Sequence, residues 1–275
     1  MTIKQPRPID DHTRLVGWIG WPTGPRSMLQ VYNAAFAALD FNWRCVPLLV
    51  RDGQLREALQ GLRALGFVGA EVAERYQRDV LRHLEKLSPA AEAADVVNFV
   101  RVDQNGQLVG DNAHWLGFLA ALRAVVPSLT GLRPLIIGAG DAARSIVYAL
   151  TREGLPLTIV DSQMERAVDL VHRLRHVLHE HSFSVYRWPQ DLERVASGAN
   201  LIVNATTIGA WPDVAHSPWP DSLPLSPEAV VVDLASWPSE TRFLHQARAS
   251  GARAISGLSL LVCAAAMAFE KWTGS

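Results

Sequence analysis

Apolar and polar positions follow two different textures along this chain. In the first half, short strand-like runs are separated by helical stretches of uneven length. Arg14–Gly20 (RLVGWIG) and Trp43–Leu49 have the apolar, β-branched and aromatic content of strands. Between them lie a Gly/Pro-rich loop at 20–25 and a stretch, 28–39, with Leu29, Tyr32, Phe36 and Leu39 at helical spacing. Residues 55–65 repeat the helical period and stop at Gly66, a C-cap signal. The pattern predicts a buried strand at 67–72 and a helix at 76–87. Ser88-Pro89 then opens a short helix ending near Ala94. Residues 96–102 and 107–110 flank Gln104-Asn105-Gly106, an Asn-Gly hairpin signature.

From Trp115 onward the alternation becomes regular. A helix at 115–125 leads to strand 132–137, helix 142–153, strand 156–160 and helix 164–180. Strand 184–186, helix 190–196, Leu201–Asn204, strand 229–234, helix 240–250, strand 252–255 and a last helix, 258–272, complete the series. Strands that alternate with helices imply a parallel, doubly wound sheet with right-handed crossovers. The fold class is therefore α/β.

Composition narrows the functional classes. The 275 residues, 49% hydrophobic and 19% charged, fit a soluble globular protein with room for two domains. A net charge of −1, from 26 basic and 27 acidic side chains, gives no general attraction to nucleic acid or to an anionic membrane. No apolar run reaches the roughly 18 residues of a membrane span, and the polar N-terminus does not resemble a signal peptide. Cys45 and Cys263 are isolated, so a reducing cytoplasm is the expected compartment. The expected partner is a small molecule, and the expected state a monomer or homodimer.

The clearest chemical signal follows strand 132–137. Gly138-Ala139-Gly140-Asp141-Ala142-Ala143 has the G-x-G-x-x-A form of a dinucleotide-binding turn and opens a helix. Gly138 permits the turn, Gly140 lets a pyrophosphate approach the backbone, and Ala143 lets helix and strand pack closely. The free N–H groups of the helix end face the phosphates. The next strand ends in an acid, Asp161, about 20 residues on, where a carboxylate accepts from the ribose 2′-OH of NAD and repels the 2′-phosphate of NADP. Ser162 and Gln163 follow instead of an arginine, and Arg166 falls in the next helix, so NAD is expected ahead of NADP. His172, His176, His179 and His181 are interleaved with Arg173, Arg175 and Glu180. They read as a solvated helix face, and no metal site is expected.

Collinear stretches from about Val16 to Gly274 resemble the shikimate dehydrogenase family. Asn33-Ala34-Ala35-Phe36 resembles the start of its first helix. Gly106-Gln107-Leu108-Val109-Gly110 resembles the segment before its interdomain crossing, and Asn112 with Gly117-Phe118 its "NTDGxGF" motif. Asn204-Ala205-Thr206-Thr207-Ile208-Gly209 resembles its "NATPxG" loop, and the segment from Gly257-Leu258 its C-terminal helix. The resemblance implies an N-terminal α/β substrate-binding domain at 1–111 with 257–275, and a Rossmann domain at 112–256. The C-terminal helix would return to the first domain. It adds Asn204, Ala205, Thr206 and Gly257 to the residues expected at the cofactor.

The family's polar residues are replaced at several positions. Its Ser-x-Ser pair falls on Arg26 and Met28, its catalytic lysine on Gln77, its substrate asparagine on Glu71 and its catalytic aspartate on His114, while Asn98 and Asn112 remain. Gln77 cannot titrate, whereas an imidazole has an ordinary pKa of about 6.5. His114 is therefore the expected general acid/base, with Arg26, Glu71, Gln77, Asn98 and Asn112 at the substrate. These losses lead to the expectation of an NAD-dependent oxidoreductase acting on a small cyclic hydroxy, carbonyl or imine compound other than shikimate. The alternative is a non-catalytic NAD(H)- or metabolite-binding sensor. Trp18, Trp21 and Trp237 are expected near the cleft.

Overall fold

The computed structural model describes residues 7–21, 27–177 and 182–274, and these form two compact units. One comprises Met1–Ala113 with Ala264–Ser275, the other His114–Cys263. No helix among the described residues is long and apolar enough to cross a membrane.

The first unit holds a six-stranded mixed sheet in the order β2-β1-β3-β5-β6-β4. β1 (Arg14–Gly20), β2 (Trp43–Leu49) and β3 (Gly69–Val72) are parallel, while β5 (Phe99–Val102) runs antiparallel to β3 and to β6 (Leu108–Asp111). Because side chains alternate along a strand, each strand serves both sheet faces. Ile19, Ala70, Val72 and Val100 join Leu59 and Leu62 of α2 (Leu55–Ala64) in one core. The opposite face is aromatic. Phe36 of α1 (Ser27–Ala38) stacks on Trp43 at 5.5 Å and meets Phe269 of α9 (Gly257–Thr273) at 5.1 Å. Trp272 of α9 contacts Tyr32 and Phe99, and its indole N–H donates to Val100 O at 3.1 Å. Gly69 leaves room for that indole: a Cβ there would lie 2.6 Å from Trp272 Nε1. Each fully buried aromatic ring contributes about 2–3 kcal/mol.

The hairpin forms as its turn chemistry requires. Gly106 has φ +72°, and the Asp103 carboxylate accepts from Asn105 N and Gln107 N at 2.9 Å. Ser88 caps α3 (Pro89–Ala94) by accepting from Ala91 N. The helix expected at 76–87 does not form. Short 3₁₀ turns at Glu74–Tyr76 and Asp79–His83 lead into β4 (Lys86–Leu87), which pairs parallel with β6. The sheet edge overrides the helical period: Glu85 N donates to Leu108 O and Ser88 N to Gly110 O.

The second unit is an all-parallel six-stranded sheet. It comprises β7 (Pro134–Ile137), β8 (Leu157–Asp161), β9 (Phe183–Arg187), β10 (Leu201–Asn204), β11 (Val230–Asp233) and β12 (Arg253–Ser256). The spatial order β12-β11-β10-β7-β8-β9 reverses direction at β7. That is the switch point of a doubly wound fold, where ligands bind beyond the strands' carboxyl ends. Helices α4 (His114–Val125), α5 (Asp141–Arg152), α6 (Met164–Val177), α7 (Leu192–Ala196) and α8 (Arg242–Ala249) provide the intervening segments.

Candidate active site

The glycine turn lies at that switch point, between β7 and α5. Gly138 has φ +102°, and a Cβ there would approach Thr206 Cγ2 at 2.8 Å and Ala205 O at 2.9 Å. Only glycine fits that position. Gly140 is different. It precedes α5 in an extended conformation, and a Cβ there would meet nothing within 4 Å. The open space above Gly140 and the amides at the start of α5 fit a pyrophosphate group. Ala143 is fully buried beneath, while Ala139 is buried and Asp141 is half-exposed beside Arg144.

The polar residues around the turn brace its loops. Asp161 ends β8 and accepts from Ala139 N on one oxygen and from Gln163 N on the other, both at 2.7 Å. Its carboxylate thus ties the glycine turn to the β8–α6 loop. Asn204 is fully buried: its amide donates to Asp233 Oδ1 and Ile208 O, and its oxygen accepts from Thr206 N and Thr206 Oγ1. Thr241 Oγ1 donates to the other oxygen of Asp233 at 2.6 Å. Burial raises the pKa of Asp233, opposed by hydrogen bonds from Thr241, Ala235 N and Asn204. The sequence reading missed Asp233, although it closes an all-valine strand as Asp161 closes β8. Ala205 continues the β7 ladder by donating to Ile137 O. Gly257 begins α9 so close to Leu234 O and Ala235 O that no side chain would fit. The sheet register also places Arg187 of β9 opposite Asp161, a neighbour that sequence distance concealed.

In the first unit, most of the expected substrate residues are committed to the scaffold. Asn98 Oδ1 accepts from Ala113 N at 2.9 Å, and Asn112 Nδ2 donates to Val96 O at 3.2 Å. The two amides meet each other at 3.4 Å. Gln77 is buried, with its amide donating to Val72 O at 3.1 Å. Glu71 lies in β3, in register with Trp18 and Phe99 and thus on the aromatic face. Its Oε2 is enclosed without a hydrogen-bond partner among the described residues. Burial raises its pKa to about 7, although the nearby Tyr32 hydroxyl opposes the shift. Arg26 lies outside the described residues, as do His179 and His181 and most of the loop at 20–25.

His114 opens α4 in the second unit. The expectation of an imidazole titrating near its ordinary pKa is corrected here, because burial lowers it to about 4. It is therefore neutral at pH 7 and a weak base. His172 is exposed, and no group of three metal-ligating side chains occurs among the described residues. Trp237 is half-exposed.

Residues 20–100 match the family model described as the shikimate dehydrogenase substrate binding domain. A shikimate dehydrogenase (NADP(+)) of Salinibacter ruber is 37% identical over 270 residues, covering 97% of this chain and 94% of the relative. One from Carboxydothermus hydrogenoformans is 34% identical over 266 residues with the same coverage. A crystal structure of shikimate 5-dehydrogenase from Listeria monocytogenes, in complex with shikimate and NAD, aligns with a TM-score of 0.89 at 28% identity. That alignment covers 98% of this chain and 94% of the other. These near-full-length relatives overturn the expectation, drawn from the altered pocket residues, of a substrate other than shikimate. Replacements at a few polar positions outweighed, in that reading, a similarity that runs through the whole chain. Joined to the Rossmann topology and the glycine turn, the match shows that the chain belongs to the shikimate dehydrogenase family of oxidoreductases.

Proposed function

We propose that the protein oxidises shikimate to the corresponding ring ketone, and catalyses the reverse reduction, with a nicotinamide dinucleotide. The observation that carries this reading is the 34–37% identity to proteins named shikimate dehydrogenase (NADP(+)) over 97% of the chain. The compartment is the cytoplasm, where the free thiols Cys45 and Cys263 remain reduced.

The cofactor supplies the hydride acceptor when bound. Gly138, Ala139 and Gly140 leave the backbone open to its pyrophosphate, and the α5 end, Asp141 and Ala142 at its first turn, presents N–H groups there. Ala143, Asn204, Ala205, Thr206 and Gly257 keep the surrounding backbone in the shape this requires. Asn98, Asn112 and Gln77 brace the backbone of the substrate unit, and neutral His114 acts as a hydrogen-bonding group. NADP(H) is the proposed cofactor because both curated relatives are named for it. Arg187, in register with Asp161, and Arg166, exposed in the first turn of α6, supply cations for the extra phosphate. A second reading favours NAD: Asp161 ends β8, the strand after the glycine turn, where a carboxylate is the expected partner of a ribose 2′-OH.

Initial rates of shikimate oxidation with NADP+ and with NAD+ test both statements. A higher kcat/KM with NADP+ is expected, and removal of Arg187 should narrow the difference. Higher efficiency with NAD+ selects the second reading. Absence of turnover with either cofactor overturns the shikimate assignment.

A further inference from the structure

Oxidation of an alcohol needs a group that takes the hydroxyl proton as the hydride leaves. Gln77 carries no titratable proton, and its amide is held by Val72 O. His114, with a pKa of about 4, is a weak base at neutral pH. Glu71 remains. It lies one residue before the carboxyl end of β3, within the parallel run β2-β1-β3. In open α/β sheets, ligands bind beyond that end of the strands. Its Oε2 is an enclosed acceptor with no hydrogen-bond partner among the described residues. Buried polar atoms are almost always satisfied, so an orphan of this kind marks a place for a water, an ion, a ligand or a catalytic role. Among the described residues, the titratable groups facing Glu71 are the Tyr32 hydroxyl of α1 and the Cys45 thiol of β2. Burial raises both pKa values, so neither is charged at neutral pH. Its in-register neighbours Trp18 and Phe99 carry no charge.

We propose that Glu71 is the proton acceptor of the reaction, and that Tyr32 is the positioning residue beside its carboxyl. The proposal rests on the shikimate reading above. In the oxidation, the carbinol O–H bond breaks and its proton passes to the Glu71 carboxylate, which becomes a carboxylic acid. The carbinol C–H bond breaks with its electron pair leaving as hydride to the oxidised nicotinamide, and the C–O bond becomes C=O. The reduction reverses each transfer. With a pKa of about 7, both forms of Glu71 are available near neutral pH.

The experiment compares pH profiles of kcat for shikimate oxidation in the wild type, Glu71→Gln and Tyr32→Phe. It is joined by infrared difference titration of the Glu71 carboxyl with and without shikimate. The wild-type kcat should rise with pH through about 7 and then level. Glu71→Gln should lower it by about 10²–10⁴-fold and abolish that limb, with shikimate affinity largely retained. Tyr32→Phe, which keeps the carboxyl, should move the limb to higher pH, because the hydroxyl that holds the pKa down is gone. This second variant decides the matter even if Glu71→Gln folds poorly. The carboxyl band assigned to Glu71 should titrate near 7 and shift when shikimate is added. Wild-type kcat in Glu71→Gln, or an unmoved limb in both variants, overturns Glu71 alone. Failure of the shikimate reading looks different: the wild type turns nothing over and the Glu71 band ignores shikimate, which overturns the proposal as well.

Discussion

In the unit that carries the glycine turn, the polar side chains around it are paired with backbone and with one another. Asp161 accepts from Ala139 N and Gln163 N, and Asn204 holds Asp233, Ile208 O and Thr206 together. The first unit ties down its amides in the same way, but leaves one enclosed carboxylate oxygen on an aromatic face unpaired among the described residues. A fully satisfied polar network holds backbone in a shape that a ligand can use. An unsatisfied group keeps its chemistry available, at a cost in stability. The two units thus differ in how far their buried polar groups are satisfied.

Four substitutions test that contrast. The largest effect belongs to Gly138→Ala, which combines positive φ with overlap of Ala205 O and Thr206. It should lower unfolding free energy in urea by about 4 kcal/mol, the sum of strain and overpacking, and remove cofactor binding. Glu71→Gln should act in the opposite direction. The folded-state pKa is about 7 against an ordinary 4.5. The folded protein therefore holds a proton between these values that the unfolded chain has released. Glu71's contribution is full below about pH 4.5 and is lost as pH rises through about 7. Glu71→Gln should thus gain up to about 3 kcal/mol relative to wild type at pH 8 and little at pH 4, measured by urea titration at both values. A wild type whose stability does not fall between pH 5 and 8 relative to the variant would mean that Glu71 is solvated.

Trp272→Phe removes the donor to Val100 O while keeping an aromatic ring, and should cost about 1–2 kcal/mol in the same titration. The smallest change in stability is expected for Gly140→Ala, within about 0.5 kcal/mol, since the added methyl meets nothing and φ is negative. Its cofactor affinity, read by NADPH fluorescence, should nevertheless fall by about tenfold or more as the methyl enters the pyrophosphate space. Equal loss of stability at Gly138 and Gly140 would remove the distinction drawn between them.

Much of the second unit was legible because its signals are local. A valine-rich strand, a glycine turn and a helix occur in succession, and Leu201–Asn204 could be delimited from composition alone. The same reasoning failed at 76–87, where apolar spacing favoured a helix and an exposed sheet edge captured Lys86–Leu87 instead. Gly138 and Asp161 stood out by their spacing after adjacent strands. Arg187 did not, because its relation to Asp161 exists only through strand register. His114 was recognised as titratable, but the burial that lowers its pKa depends on surroundings that no short motif records. The altered residues at 71, 77 and 114 also drew more weight than the similarity of the whole chain, and so pointed away from shikimate.

The sequence by itself determined the alternation of strands and helices, the position of the glycine turn and the family to which the chain belongs. Each of these is carried by residues close together or by matches repeated along the chain. Only the tertiary structure decided which polar residues are structural and which retain an open valence. Asn98, Asn112 and Gln77 are spoken for by backbone groups, whereas Glu71 has an enclosed oxygen with no partner among the described residues. Hydrogen-bond satisfaction and desolvation depend on what surrounds an atom in space, and packing sets both.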